Sequence, residues 1–157
     1  MELGKLGVWV AMDRLTAAAG AAFAKRVEAW GYGALWLPES RGRNALVHSA
    51  WLLANTQRLV VATGIANIYA RDPIAMANGQ RALTEQSGGR FLLGVGVSHR
   101  PTVEGVLHRT YGKPVATMRA YLRAMREAPC PVLVVPRGAE RASGHPDEHP
   151  ADAAAGV

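Results

Sequence analysis

Short, nearly continuous apolar runs alternate along this chain with longer stretches whose apolar residues recur every three or four positions. That alternation restricts the fold more than any other feature. An apolar run of four to six residues without polar alternation suits a strand buried on both faces, and a helical-period segment between two such runs is the crossover that parallel strands require. Four units of this kind are visible. Leu6-Gly7-Val8-Trp9-Val10 reads as the first strand, followed by a helix capped by Thr16, with Phe23, Val27 and Trp30 on one face and Gly31 as its stop. Ala34-Leu35-Trp36-Leu37 is the second strand, ended by Pro38. Asn44 then caps a helix expected to turn Leu46, Val47, Ala50, Leu53 and Ala54 inward.

Leu59-Val60-Val61-Ala62-Thr63 is the third strand. Asp72-Pro73 after it supplies an N-cap and a proline at the first helical position, where a missing N–H costs nothing. That helix ends near Gly88-Gly89. Arg90-Phe91-Leu92-Leu93-Gly94-Val95 is the fourth strand, and Pro114 opens a helix with Val115, Met118, Leu122 and Met125 along one side. A weaker fifth strand is placed at Val132 to Val135. From Arg137 the apolar periodicity stops, so residues 1–136 are expected to hold the fold and residues 137–157 to form a disordered tail.

With 157 residues, 49% of them hydrophobic and 19% charged, the chain can bury about two-thirds of its extended surface and needs no disulfide or structural metal. Cys130 is its single cysteine. A lone thiol, and a start of Met1-Glu2-Leu3-Gly4-Lys5 without the apolar core of a signal peptide, lead us to expect a cytoplasmic protein. No apolar run is long enough to span a bilayer. The net charge of +6 is spread thinly, with only Arg41-Gly42-Arg43 grouped and no aromatic residues interleaved, so no nucleic-acid partner is expected. His145 and His149 stand four apart, but Pro146 lies between them and no second ligand pair exists, so no metal site is expected.

In parallel α/β folds the chemistry gathers at the carboxyl ends of the strands. Those ends carry Met12-Asp13, Pro38-Glu39-Ser40, Gly64 to Arg71, and Gly96-Val97-Ser98-His99-Arg100. A dinucleotide-binding domain would place its glycine-rich turn after the first strand, where Val10-Ala11-Met12-Asp13 stands instead. No phosphate-cradling Gly-Lys-Ser/Thr loop and no nucleophile elbow occurs.

Three stretches carry a resemblance: Arg58 to Asn67, Arg71-Asp72-Pro73, and Ser87 to Gly96. In this order they resemble the luciferase-like monooxygenase superfamily, most closely its branch that uses the deazaflavin coenzyme F420, over about residues 4 to 127. The resemblance implies an α/β fold of the TIM-barrel type, (β/α)8, of which only the first four to five βα units are present. It implies an oxidoreductase or monooxygenase that moves a hydride between the deazaflavin and a small organic substrate. FMN is the alternative cofactor.

By the same match, Gly64–Ile65 is the position of a non-proline cis peptide in a bulge behind the cofactor ring, with Ser40, Asn67 and Ser98 beside it. Glu39 and His99 are the candidate acid–base residues. His99 stands where relatives often carry glutamate, and an imidazole with a pKa of about 6.5 is suited to handing a proton to a carbonyl. Ser40 departs from the histidine common in the family. His48 and His108 are expected to face solvent.

A closed barrel of this kind needs about 250 residues. Three accounts of the short chain are open: a truncated or frame-shifted product, a half barrel completed by self-association or a partner chain, and a degenerate, non-catalytic fragment. Truncation is placed first. Neither outer strand is charged, so unpaired edges are expected to promote association.

Overall fold

The computed structural model describes residues 3–130. Its main sheet contains β1 (Gly7–Trp9), β2 (Ala34–Leu37), β3 (Val60–Thr63) and β5 (Phe91–Leu92), in that spatial order. Every neighbouring pair is parallel, with Gly7 opposite Ala34, Ala34 opposite Val60, and Val61 opposite Phe91. Between the strands run α1 (Ala17–Ala29), α2 (Ala45–Ala54) and α3 (Pro73–Gln86), and α5 (Pro114–Glu127) closes the described chain. The expected fifth strand at Val132–Val135 and the tail from Arg137 lie outside the described residues.

The caps form as their residue types require. Thr16 Oγ1 accepts from the Ala19 N–H at 3.1 Å, Asn44 Oδ1 from Leu46 N–H at 3.0 Å, and Asp72 Oδ1 from Ala75 N–H at 2.9 Å. Gly88 and Gly89, both at positive φ, turn the chain out of α3. The main core lies between sheet and helices, where Leu35, Leu37, Val61 and Phe91 meet Val27, Leu52, Leu53 and Leu83. A smaller cluster of Ala66, Ile68, Met76 and Tyr121 joins α3 and α5 to the upper part of the sheet.

Two strands differ from the sequence expectation, for one shared reason. The third and fourth runs each break and resume, giving β4 (Ala66–Asn67) and β6 (Val95–Gly96), which pair in parallel as a small second sheet. The Thr63 hydroxyl donates to the Gly94 carbonyl at 2.8 Å and accepts from the Gly94 N–H at 2.9 Å. It takes the place of ladder hydrogen bonds at the break. Only glycine fits at position 94, because a Cβ there would overlap the Thr63 carbonyl oxygen.

Several helix faces also differ. Trp30, expected on the inner face of α1, is the C-cap residue and lies exposed under the Arg26 guanidinium, 4.9 Å from the ring centroid. In α2 the buried face is Ala45, His48, Ser49, Leu52 and Leu53, so Val47 and Ala54 turn outward and His48 is buried rather than solvent-facing. His108 is exposed, as expected. A short helix, α4 (Arg100–Gly105), follows β6 where a loop was expected. Val115 and Leu122 on α5 stay exposed.

Among the described residues both sides of the sheet end in unpaired strands: β1 bonds only to β2, β5 only to β3, and β6 only to β4. Among the described residues no helix is long and apolar enough to cross a membrane.

Candidate functional site

The strand ends meet around the break in the third strand. The Gly64–Ile65 peptide is cis, at the position the resemblance implied. Gly64 donates its N–H to the Leu37 carbonyl at 2.7 Å, and its own carbonyl accepts from the Trp9 indole N–H at 2.8 Å. A Cβ placed on Gly64 would rest 3.4 Å from the Trp9 ring and 3.5 Å from the Trp36 ring. The glycine therefore leaves a flat, side-chain-free step flanked by two indoles. This is the geometry a planar ring system can lie against.

Glu39, just after β2, is tied to both sides of the residue that follows the break. Its N–H donates to the Ile65 carbonyl at 3.0 Å, and its Oε2 accepts from the Asn67 N–H at 2.8 Å. Its Oε1 accepts from the Ala45 N–H at 3.0 Å in the first turn of α2 and forms an ion pair with Arg71. Both partners of this pair are about nine-tenths buried. Asn67 is buried, and its Oδ1 accepts from the Tyr69 N–H at 3.0 Å, closing an Asx turn.

The other proposed residues lie further out. Ser40 is exposed and donates to Asp13 Oδ2 at 2.7 Å, joining the first and second strand-end loops. Ser98 has a φ of 56°, and its carbonyl accepts from the Tyr111 hydroxyl at 3.3 Å. His99 follows as the N-cap residue of α4, exposed, with no side-chain capping bond. Glu39, Ile65 and Asn67 are thus in direct contact, and Gly64 adjoins them. Ser98 and His99 reach the same end through the β4–β6 pairing, in which Asn67 stands opposite Gly96. Ser40 joins Asp13 instead of this group.

Sequence reasoning passed over four residues that build the site: Trp9, Trp36, Arg71 and Tyr121. Alternation along β1 and β2 places Trp9 and Trp36 in register on one face, a signal available once the two strands are paired. Arg71 lay in a recognised motif without a partner to suggest its role. Among the described residues no group of three or more His, Cys, Asp and Glu side chains is placed to hold a metal.

Comparison with known proteins agrees with this architecture. Residues 4–133 match the family model for luciferase-like monooxygenase. A Mycobacterium tuberculosis protein named as a coenzyme F420-dependent oxidoreductase is 35% identical over 128 residues, 81% of this chain and 36% of that protein. The coenzyme F420-dependent tetrahydromethanopterin reductase of Methanopyrus kandleri superposes with a TM-score of 0.68 at 18% identity, over 78% of this chain and 39% of that one. The FMN complex of the oxygenating constituent of 3,6-diketocamphane monooxygenase from Pseudomonas putida gives a TM-score of 0.65 at 15% identity, over 78% and 40%. The chain spans little more than a third of the Mycobacterium relative's length. With the family model matched over residues 4–133 and four parallel strands in sequential order, the chain belongs to the luciferase-like monooxygenase family and holds an N-terminal portion of its TIM-barrel fold.

Proposed function

We propose that this chain is the N-terminal part of a coenzyme F420-dependent oxidoreductase, and that its strand ends form the seat for the deazaflavin ring. The observation that carries the reading is the glycine step at Gly64–Ile65 between the Trp9 and Trp36 indoles, in a chain 35% identical to a protein named for F420 dependence. The bound deazaflavin would supply two-electron hydride chemistry with a small organic substrate. The chain's own residues do the rest. The backbone of Gly64 and Ile65 backs the ring, Trp9 and Trp36 exclude water along one side, and Ser98 borders the other strand end. The exposed His99 imidazole holds a proton on a ring nitrogen for transfer to a substrate carbonyl.

The test is a fluorescence titration of coenzyme F420, with FMN in parallel, against the native chain and Gly64→Val. Valine adds two methyl groups where even a Cβ already touches both indoles. Measurable F420 binding by the native chain and none by Gly64→Val is the expected result. Equal binding by the two would remove the third-strand break from the site, and tighter FMN binding would reassign the cofactor.

A second reading rests on the outer strands at both sides of the sheet, which have a free edge among the described residues. Exposed strand edges template pairing with another chain. In that reading the fragment acts by association, with itself or with a chain carrying the remaining barrel strands, and has no turnover alone.

A further inference from the structure

We propose that Glu39 is a positioning residue of the ring seat, held in place by Arg71 and Tyr121, so that helix α5 on the outside of the sheet fixes the shape of the glycine step. This rests on the ring-seat reading above.

Glu39 grips the chain on both sides of Ala66. Its N–H and its Oε2 bond to the Ile65 carbonyl and the Asn67 N–H, the peptide groups on either side of Ala66. From the opposite side, Ala66 N–H donates to the Gly94 carbonyl at 2.8 Å and Ile68 N–H to the Gly96 carbonyl at 3.1 Å. The segment after the step is therefore clamped between Glu39 and the fourth-strand backbone. The fourth-strand side of this clamp is the short β4–β6 ladder, of two residues on each strand. Gly64 before it is held by the Leu37 carbonyl and the Trp9 indole, and Ala66 after it by the Gly94 carbonyl, so the Glu39 N–H is the bond made to the Ile65 carbonyl itself.

Both carboxylate oxygens are engaged by donors: Asn67 N–H on Oε2, and Ala45 N–H and the Arg71 guanidinium on Oε1. The arrangement suits an acceptor that fixes neighbouring groups better than an acid that reaches out to a ligand. Arg71 is in turn anchored from outside the sheet. The Tyr121 hydroxyl lies 3.0 Å from the Arg71 carbonyl and 3.2 Å from that of Asp72, the cap of α3. Burial pushes the Tyr121 hydroxyl up to about 12, so it remains a donor throughout the neutral range. Tyr121 is the one buried residue of α5, and its hydroxyl is the polar link from that helix to the loop carrying Arg71.

Removing one member of a buried ion pair strands the other's charge, whereas removing both does not. The test therefore compares Glu39→Gln, Arg71→Met, the double variant, and Tyr121→Phe. Each is read by F420 titration at a temperature well below unfolding, by thermal midpoint, and by hydrogen exchange at the Asn67 and Ala45 amides. Glutamine must turn its NH2 group toward a donor on one side. Glu39→Gln and Arg71→Met are each expected to weaken F420 binding about tenfold or more; the double variant, which strands no charge, is expected to lose less stability than the two singles together but to keep the weakened binding, because the glutamine NH2 still faces a backbone N–H.

Tyr121→Phe, which keeps the ring's packing, is expected to weaken binding a few-fold and to speed exchange at Asn67. Changes in thermal midpoint with native affinity would reduce Glu39 to a stabilising residue and overturn the proposal. Should the native chain bind no F420, the ring-seat reading fails, and exchange at Asn67 still decides the clamp: unchanged protection in both Tyr121→Phe and Arg71→Met would overturn it.

Discussion

Trp9 on β1 donates its indole N–H to the Gly64 carbonyl at the end of β3, reaching across the whole width of β2. The bond joins two strands that do not pair with each other. It also explains how a tryptophan that is 61% exposed keeps a defined orientation on an open sheet face. An exposed hydrogen bond of this kind contributes about 0.5–1 kcal/mol, so its main effect is on the shape of the step.

Trp9→Phe is therefore expected to leave the fold intact, with a thermal midpoint within a few degrees of native, and to weaken F420 binding several-fold. Indole emission gives a second reading. Trp9 and Trp36 should both be quenched when the coenzyme binds, so Trp9→Phe should lose part of the quench and Trp9→Phe combined with Trp36→Phe most of it. Full quenching in the double variant would mean that the ring lies elsewhere.

At the opposite end of the strands, Arg90 plays a purely structural part. Its guanidinium donates to the Leu53 carbonyl at 3.0 Å, the Leu59 carbonyl at 3.2 Å and Thr56 Oγ1 at 3.3 Å. These groups end α2 and lead into β3. Arg90→Met removes these bonds, leaving the Leu53 carbonyl its Thr56 N–H and the Thr56 hydroxyl its bond to the Leu52 carbonyl, and is expected to cost about 1–3 kcal/mol, seen as a lower urea midpoint. Arg90→Lys should recover only part, because an ammonium cannot span the three acceptors as the planar fork does. A midpoint unchanged in Arg90→Met would show that water satisfies them equally well.

These contacts mark what could be read from the sequence. Thr16, Asn44 and Asp72 cap their helices through residues two or three positions away, so local chemistry sufficed. The break in the fourth strand did not announce itself, because it depends on Thr63 meeting Gly94 from another strand, 31 residues away. Glu39 was singled out by its place after β2, but its partners Asn67 and Arg71 stand 28 and 32 residues on, so its contacts were invisible. The inner face of α2 was misjudged for a related reason. A helix rich in Leu, Val and Ala offers little contrast between faces, and tertiary packing chose the one that buries His48 and Ser49.

Open edges lead to a prediction about association. Leu6, just before β1, is 70% exposed, and no charged side chain interrupts β1 itself. The chain is expected to associate as its concentration rises, and Leu6→Lys to reduce this by charging the edge. Sedimentation at several concentrations checks it, with circular dichroism to show that the variant keeps its helices. A native chain that stays monomeric at high concentration would indicate that the edge is covered.

The stability of the chain is expected to depend on pH through His48. His48 is buried on α2, with the Arg43 guanidinium nitrogen 3.3 and 3.2 Å from its two ring nitrogens. Burial, and then the Arg43 charge, hold its pKa below the ordinary histidine value, with Asp13 opposing them. The folded chain therefore binds this proton less readily than the unfolded chain, whose histidine titrates at about 6.5. Above that pH neither form is protonated and the site contributes its full packing. As pH falls below it, the unfolded state takes up the proton first and stability declines, until the lowered folded pKa is reached.

His48→Gln removes the titrating group but retains a polar side chain of similar size. Urea midpoints measured at pH 7.5 and 5.5 should fall more for the native chain than for His48→Gln. Glu28 acts in a separate, more acidic window. Although burial alone would raise its pKa, the N–H groups of Arg58, Leu59 and Gln57 and the Arg58 charge lower it overall, so its contribution is full above the ordinary carboxylate value and fades as pH falls from there through the lowered one. Parallel loss of stability in the two proteins between pH 7.5 and 5.5 would assign the decline to other groups and show that His48 is protonated as easily in the fold as in water.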